Sequence, residues 1–153
     1  KRQGYRHPSS EETLREKVVD EYGNIRSDEQ GYMQGGDVFN FVIREIPRDI
    51  KKTLEYAGDT ADSFDYIVFH QANNFINAYI AKKMKLDTDK IPSTIAKYGN
   101  TSSVSVPLTI VSELKDRLYG NKKLLLSAFG VGMTWATGIV PFVDCKISDI
   151  VEV

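Results

Sequence analysis

Cysteine is almost absent: a single residue, Cys145, occurs in the 153. That excludes an internal disulfide framework and a multi-cysteine metal site. There is no excess of charge of either sign either. The formal net charge is −1, so no basic field marks a nucleic-acid binder. Long apolar runs are missing, and none reaches the length of a membrane span. The basic start, Lys1 to His7, is followed by no apolar stretch of the kind a secretory signal carries. No phosphate loop, zinc-ligand spacing or Gly-x-Ser-x-Gly elbow occurs. The expectations are a cytoplasmic protein with no membrane, nucleic-acid or metal partner. What is present is 41% apolar and 27% charged residues, sufficient for one soluble domain with a core. The chain opens without an initiator Met, as a fragment or processed chain would.

Along the chain, residues 1–36 are polar and punctuated by glycine. They read as a lead-in of loops and short strands belonging to the same domain as residues 37–143. Asp37 can cap a helix whose apolar stripe is Val38, Phe41, Val42, Ile46, Ile50 and Leu54. Pro47 should kink or divide that helix. Phe64 to His70 reads as a buried strand. A helix with Phe75, Ile76, Tyr79, Ile80 and Met84 on one face comes next. Asp87 to Lys97 is a polar connection. Thr101, Ser102 or Ser103 can cap a third helix carrying Val104, Leu108, Val111, Leu114 and Leu118, with Pro107 early enough to be tolerated. Leu124 to Phe129 and Thr134 to Val143 read as strands around a Gly130-Val131-Gly132 turn. Residues 144–153 read as a loosely attached tail. The alternation of helices and strands predicts an α/β domain over 37–143 with a mixed sheet.

Three polar or glycine-rich elements interrupt this apolar pattern: His70-Gln71-Ala72-Asn73, Gly99-Asn100-Thr101-Ser102-Ser103 and Phe129-Gly130-Val131-Gly132. Ligands of open α/β sheets bind beyond the carboxyl ends of strands. His70 and Gly130 both fall at such ends. A histidine there can exchange a proton near neutral pH. An asparagine offers an N–H donor at any pH. Together they could stabilise an oxyanion or enolate, and glycines would let backbone N–H groups approach a ligand. Each element also has a plainer reading: a structural histidine, a turn with a helix cap, a hairpin loop.

The three elements occur in the order and with the spacing of one family. Residues from about Gly31 to Phe142 resemble the C-terminal half of β-ketoacyl-acyl carrier protein synthase III. The motifs are His70-Gln71-Ala72-Asn73, Gly99-Asn100-Thr101-Ser102 with Ser103-Val104-Ser105-Val106-Pro107 after it, and Phe129-Gly130-Val131-Gly132-Met133-Thr134-Trp135. Met33-Gln34-Gly35-Gly36-Asp37-Val38-Phe39 looks like the family's lead into its first helix. The resemblance implies a thiolase-like half, a mixed sheet of the five-stranded type covered by helices. It implies decarboxylative condensation of an acyl thioester with a malonyl thioester. His70 and Asn100 would stabilise the enolate. The Gly130, Val131 and Gly132 loop would supply an oxyanion-hole N–H at Val131. Gln71 and Asn73 would contact the pantetheine arm of the substrate. Coenzyme A or acyl carrier protein thioesters would be substrates, and no cofactor is implied. The partners would be an N-terminal ketosynthase half carrying the cysteine nucleophile and a second copy in a homodimer.

The chain departs from the family in three places. The nucleophilic half is missing, and Cys145, after the last strand and beside Asp144, does not replace it; the chain alone should be inactive. Val131 stands where the family commonly has glycine, which suits an oxyanion donor only if the turn needs no positive φ there. Phe75 stands where many members carry an arginine that helps dock acyl carrier protein. That puts docking at this patch in question. The competing expectation is a non-catalytic thiolase-fold domain for acyl binding or dimerisation.

Overall fold

The computed structural model describes residues 8–30 and 33–151. Lys1 to His7, Gly31 at the start of the resemblance, and the last two residues of the tail lie outside them. The chain divides into two compact units with the boundary between Val38 and Phe39. In the first unit the polar composition supports only short elements. They are helix α1 (Glu11–Leu14) and the antiparallel strands β1 (Lys17–Val18) and β2 (Ile25–Arg26). Ser10 and Thr13 form a reciprocal capping box at the start of α1, which satisfies two of its free N–H groups.

Helix α2 (Gly35–Ala57) begins ahead of the expected cap, so Asp37 lies in its first turn. A negative charge there faces the positive end of the helix dipole. Val42, Ile46, Ile50 and Leu54 recur every fourth residue and form the buried stripe. The helix is not divided at Pro47. A proline has no N–H, so the Ile43 carbonyl loses its usual donor. Lys83 supplies one instead: its Nζ donates to the Ile43 oxygen at 2.7 Å.

In the second unit, strand β3 (Tyr66–Phe69) is followed by helix α3 (Asn74–Met84), helix α4 (Ile95–Tyr98) and helix α5 (Ser105–Thr109). The long hairpin β4 (Asn121–Gly130) and β5 (Thr134–Val143) comes last. β3 and β4 are parallel, and β4 and β5 antiparallel. The sheet is therefore mixed, as expected, but it has three strands in the order β3–β4–β5. Among the described residues the sheet has three strands rather than the five of the expected type. Among the described residues β1 and β2 pair with each other in a separate two-stranded sheet. Each is two residues long with exposed side chains, so neither has an apolar face to bury against a sheet. Pro141 lies in β5, an edge strand, where no ladder donor is missed.

Successive strand residues point to opposite faces. Ile67, Val68 and Phe69 are all buried, as are Leu124 and Leu125, so both faces of the β3–β4 pair are covered. On one face Val68 and Leu124 pack with Leu114 and Leu118, and Tyr66, Val106, Ile110, Leu126, Phe142 and Ile147 close around them. Ile147 and the ion pair of Lys115 with Asp149 tie down residues expected to be a loose tail. At the amino ends of the strands, the Lys123 N–H donates to Asp65 at 2.8 Å and Lys123 Nζ donates to Asp59 at 2.6 Å. These bonds hold both carboxyls below the usual carboxylate range and fix the parallel register. No described helix is long and apolar enough to cross a membrane.

Candidate active site

The opposite, carboxyl end of the β3–β4 pair carries His70 and Phe129-Gly130, and Ser105, three residues beyond the Gly99–Ser102 motif, reaches His70 there. His70 follows β3 directly, and its N–H donates to the Ser127 carbonyl of β4 at 2.9 Å. The His70 carbonyl accepts from the Asn77 amide of α3 at 3.2 Å. The backbone of His70 is thus bonded on both sides, as a precisely oriented side chain requires. The ring meets the edge of Phe129, 5.0 Å between centroids, and Phe129 leads into Gly130. His70 and the glycine loop therefore share one end of the sheet.

His70 Nδ1 lies 2.6 Å from Ser105 Oγ, and Nε2 carries no hydrogen bond among the described residues. Burial pushes the His70 pKa below its usual 6.5, and among the described residues no carboxylate is bonded to the ring to raise it again. A lowered pKa favours the neutral ring near pH 7. Such a ring favours the fold most above its unfolded pKa of about 6.5, and the contribution is lost as pH falls through the lower folded value. An NMR titration of the His70 ring is expected to give a midpoint below 6.5. A midpoint above that value would reveal a counter-charge and contradict the neutral ring.

Asn100 is a residue of the Gly99–Ser105 segment. Its Oδ1 accepts the Ser102 N–H at 2.9 Å, which leaves the Nδ2 donors unspent. The expected caps do not form: Thr101 makes no side-chain capping bond. Instead of one regular helix, the chain runs through a 3₁₀ turn (Ser102–Val104), α5, a π segment (Ile110–Leu114) and a second 3₁₀ turn (Lys115–Arg117). Val104, expected in the core, is exposed, and the polar Ser105 and Thr109 are buried in its stead. They are tolerated because each is bonded: Thr109 Oγ1 donates to the Ser105 carbonyl at 2.7 Å and meets Thr94 Oγ1 at 2.9 Å.

Gln71 is fully buried and spends its amide inside the protein. Its Nε2 donates to the Phe69 carbonyl at 2.8 Å. Its Oε1 accepts from Ser93 Oγ at 3.1 Å and Thr94 N–H at 3.0 Å. Expected at the pantetheine arm, it instead braces the end of β3 against the segment leading to α4. Asn73 caps α3 through its Oδ1, which accepts the Ile76 N–H at 2.8 Å. Phe75 is 68% exposed and stacks on Phe39, 5.6 Å between centroids. Tyr79 meets the same ring, and Phe41 meets Trp135 of β5 at 4.9 Å.

Val131 is 96% exposed and is not among the residues with positive φ, so a β-branched side chain is unstrained there. Gly132 takes the unusual conformation, φ 141°. A Cβ at Gly132 would lie 3.0 Å from Thr134 Cγ2 and 3.2 Å from Thr134 N. Gly132→Ala is therefore expected to destabilise the chain by about 1–3 kcal/mol in urea unfolding, whereas Val131→Gly is expected to be near neutral. Equal effects would show that the loop's glycine requirement lies elsewhere.

These features coincide with a known family. A family model described as 3-oxoacyl-[acyl-carrier-protein] synthase III C terminal matches residues 54–142. The chain belongs to this family. It is 44% identical over 112 residues to a β-ketoacyl-[acyl-carrier-protein] synthase III of Streptococcus gordonii, covering 71% of the chain and 34% of that protein. Among solved structures, a 3-oxoacyl-(acyl-carrier-protein) synthase III superposes with a TM-score of 0.78 at 37% identity, over 89% of this chain and 40% of that one. A 3-oxoacyl-(acyl-carrier-protein) synthase of Burkholderia xenovorans gives 0.74 at 42% identity, over 77% and 34%. The fold is thus thiolase-like, and the chain spans about a third of the length of the curated synthase III relatives it matches.

Ser105, Asn77 and Thr109 carry no expected role in the sequence, yet each holds a bond at or beside the His70 turn. One signal was available: Ser105 and Thr109 are four apart and so share one helix face, about 100° from the face of Val104 and Leu108.

Proposed function

We propose that this chain is the C-terminal part of a synthase III-type acyltransferase and carries its enolate-stabilising donors. One observation supports this most directly: the His70–Ser105 bond joins the segments that carry His70 and Asn100, and among the described residues the Asn100 amide spends only its oxygen. Two neutral N–H donors suit an oxygen that gains negative charge during reaction, since they need no counter-ion. In this reading both donate to the thioester carbonyl oxygen of a malonyl unit. As the bond to the carboxylate carbon breaks, carbon dioxide leaves and the electron pair moves into the enolate. The carbanion then attacks an acyl group held on a cysteine supplied by the N-terminal half. The Val131 N–H, between Gly130 and Gly132, helps hold the resulting tetrahedral oxyanion. Asn73 keeps Nδ2 for the pantetheine arm, while Gln71 acts by bracing.

The full-length parent works in this reading as a cytoplasmic homodimer on coenzyme A or acyl carrier protein thioesters. With Phe75 exposed and apolar at the position of the family's docking arginine, acyl carrier protein lacks that cation at this patch. The same exposed aromatic group favours the second reading, a non-catalytic acyl-binding or dimerisation domain. Release of carbon dioxide from malonyl-coenzyme A or malonyl-carrier protein by the full-length parent separates the two. Turnover supports the transferase. Silence with both substrates leaves the binding domain.

A further inference from the structure

Ser105 was part of no expected role, yet it is the one side chain hydrogen-bonded to the His70 ring among the described residues. It is 1% exposed. Its Oγ has two neighbours at hydrogen-bond distance, His70 Nδ1 at 2.6 Å and the Gln71 N–H at 3.3 Å. A backbone N–H can only donate, so Ser105 accepts from Gln71. A serine hydroxyl has one proton of its own. Among the described residues no oxygen accepts it, and a buried hydroxyl proton left unpaired is costly. His70 Nδ1 is the remaining acceptor. A neutral imidazole that accepts at Nδ1 carries its proton on Nε2.

We infer that Ser105 is a positioning residue that sets the His70 tautomer, so that Nε2 presents an N–H donor. This rests on the proposed role of His70, but the tautomer itself is independent of any turnover. The opposite tautomer would aim an Nδ1–H at Ser105 and leave Nε2 a bare acceptor, which repels an enolate oxygen. The surrounding bonds keep Ser105 in place: its carbonyl accepts from Thr109 Oγ1 at 2.7 Å, and Thr109 in turn meets Thr94. The Gln71 N–H comes from the residue after His70, so the hydroxyl is oriented by the same turn that carries the ring.

The test is ¹⁵N NMR of the histidine rings in the full-length parent above pH 7, with the His70 signals assigned from a His70→Asn variant. Wild type is expected to show protonated Nε2 and bare Nδ1. Ser105→Ala is expected to move the signals toward a mixture of tautomers, and Ser105→Thr, which keeps the hydroxyl, to restore the wild-type pattern. Malonyl decarboxylation by Ser105→Ala is expected to fall about 10- to 100-fold in kcat with little change in KM, the size typical of groups that orient a reactive side chain. A wild-type ring protonated on Nδ1, or a Ser105→Ala ring with unchanged signals, overturns the inference. If the NMR pattern holds while wild type releases no carbon dioxide, the tautomer assignment stands and the proposed reaction falls.

Discussion

Malonyl decarboxylation by the full-length parent should fall roughly 100- to 1000-fold on replacing either His70 or Asn100 by alanine, the usual cost of removing one oxyanion donor. The expectation rests on what each side chain has left to give. Asn100 commits its oxygen to the Ser102 N–H, and His70 commits Nδ1 to Ser105. The free ends are both donors, and both are neutral near pH 7. Asn100→Asp sharpens the test. The carboxylate keeps an oxygen for Ser102, so the local turn survives, but it replaces an N–H by a negative charge facing a developing negative charge. It should be at least as damaging as alanine while leaving the melting temperature close to wild type. Steady-state rates of carbon dioxide release decide the matter. If either alanine variant keeps more than roughly a third of the wild-type rate, that residue does not hold the enolate.

Gln71→Leu should unfold the chain about 10 °C earlier than wild type, a loss of roughly 2–5 kcal/mol. The side chain is fully buried and makes three hydrogen bonds. Leucine has a similar size but no polar atoms. It would leave the Phe69 carbonyl and the Thr94 N–H without partners in the interior, each at a cost of about 1–3 kcal/mol. Thermal melting followed by circular dichroism measures the effect. A shift below about 3 °C would show that water or a backbone adjustment satisfies the two groups, and Gln71 would no longer count as a brace. The contrast with Asn100 matters, because two polar residues of the same pair of motifs then act by different means. Gln71 spends its amide inside the protein, whereas the role proposed for Asn100 depends on the donors its amide keeps.

The sequence disclosed the parts of the fold in which apolar periodicity is decisive. Val42, Ile46, Ile50 and Leu54 mark α2, and the runs around Ile67 and Leu124 mark the parallel pair. It disclosed less where hydrogen bonds decide. The segment from Ser102 to Arg117 looked like one capped helix with Val104 inside. Asn100, rather than Thr101 or the serines, supplies the turn's acceptor, and the bonded Ser105 and Thr109 displace Val104 from the interior. The five-stranded expectation came from the family and not from these residues. The polar stretch before Phe39 offers no strand with an apolar face among the described residues. At the site, residue chemistry alone left His70 and the Gly99–Ser102 turn open to a structural reading, and the resemblance to the family assigned His70 and Asn100 their expected roles. The role of Ser105 was not legible, because one hydroxyl becomes informative only when its neighbours are known. The same holds for Gln71, which reads as a ligand contact until its burial is seen.

The Pro47 position has a consequence for how substitutions combine. The Ile43 carbonyl is free for Lys83 because residue 47 brings no N–H of its own. Restoring an N–H there would return the carbonyl to its own helix and release the lysine. Removing the lysine alone would strand the carbonyl. The two positions, on different helices and 36 residues apart in sequence by their numbers, are therefore one unit of inheritance in energetic terms: a change at either alters what the other is worth, and their effects will not add.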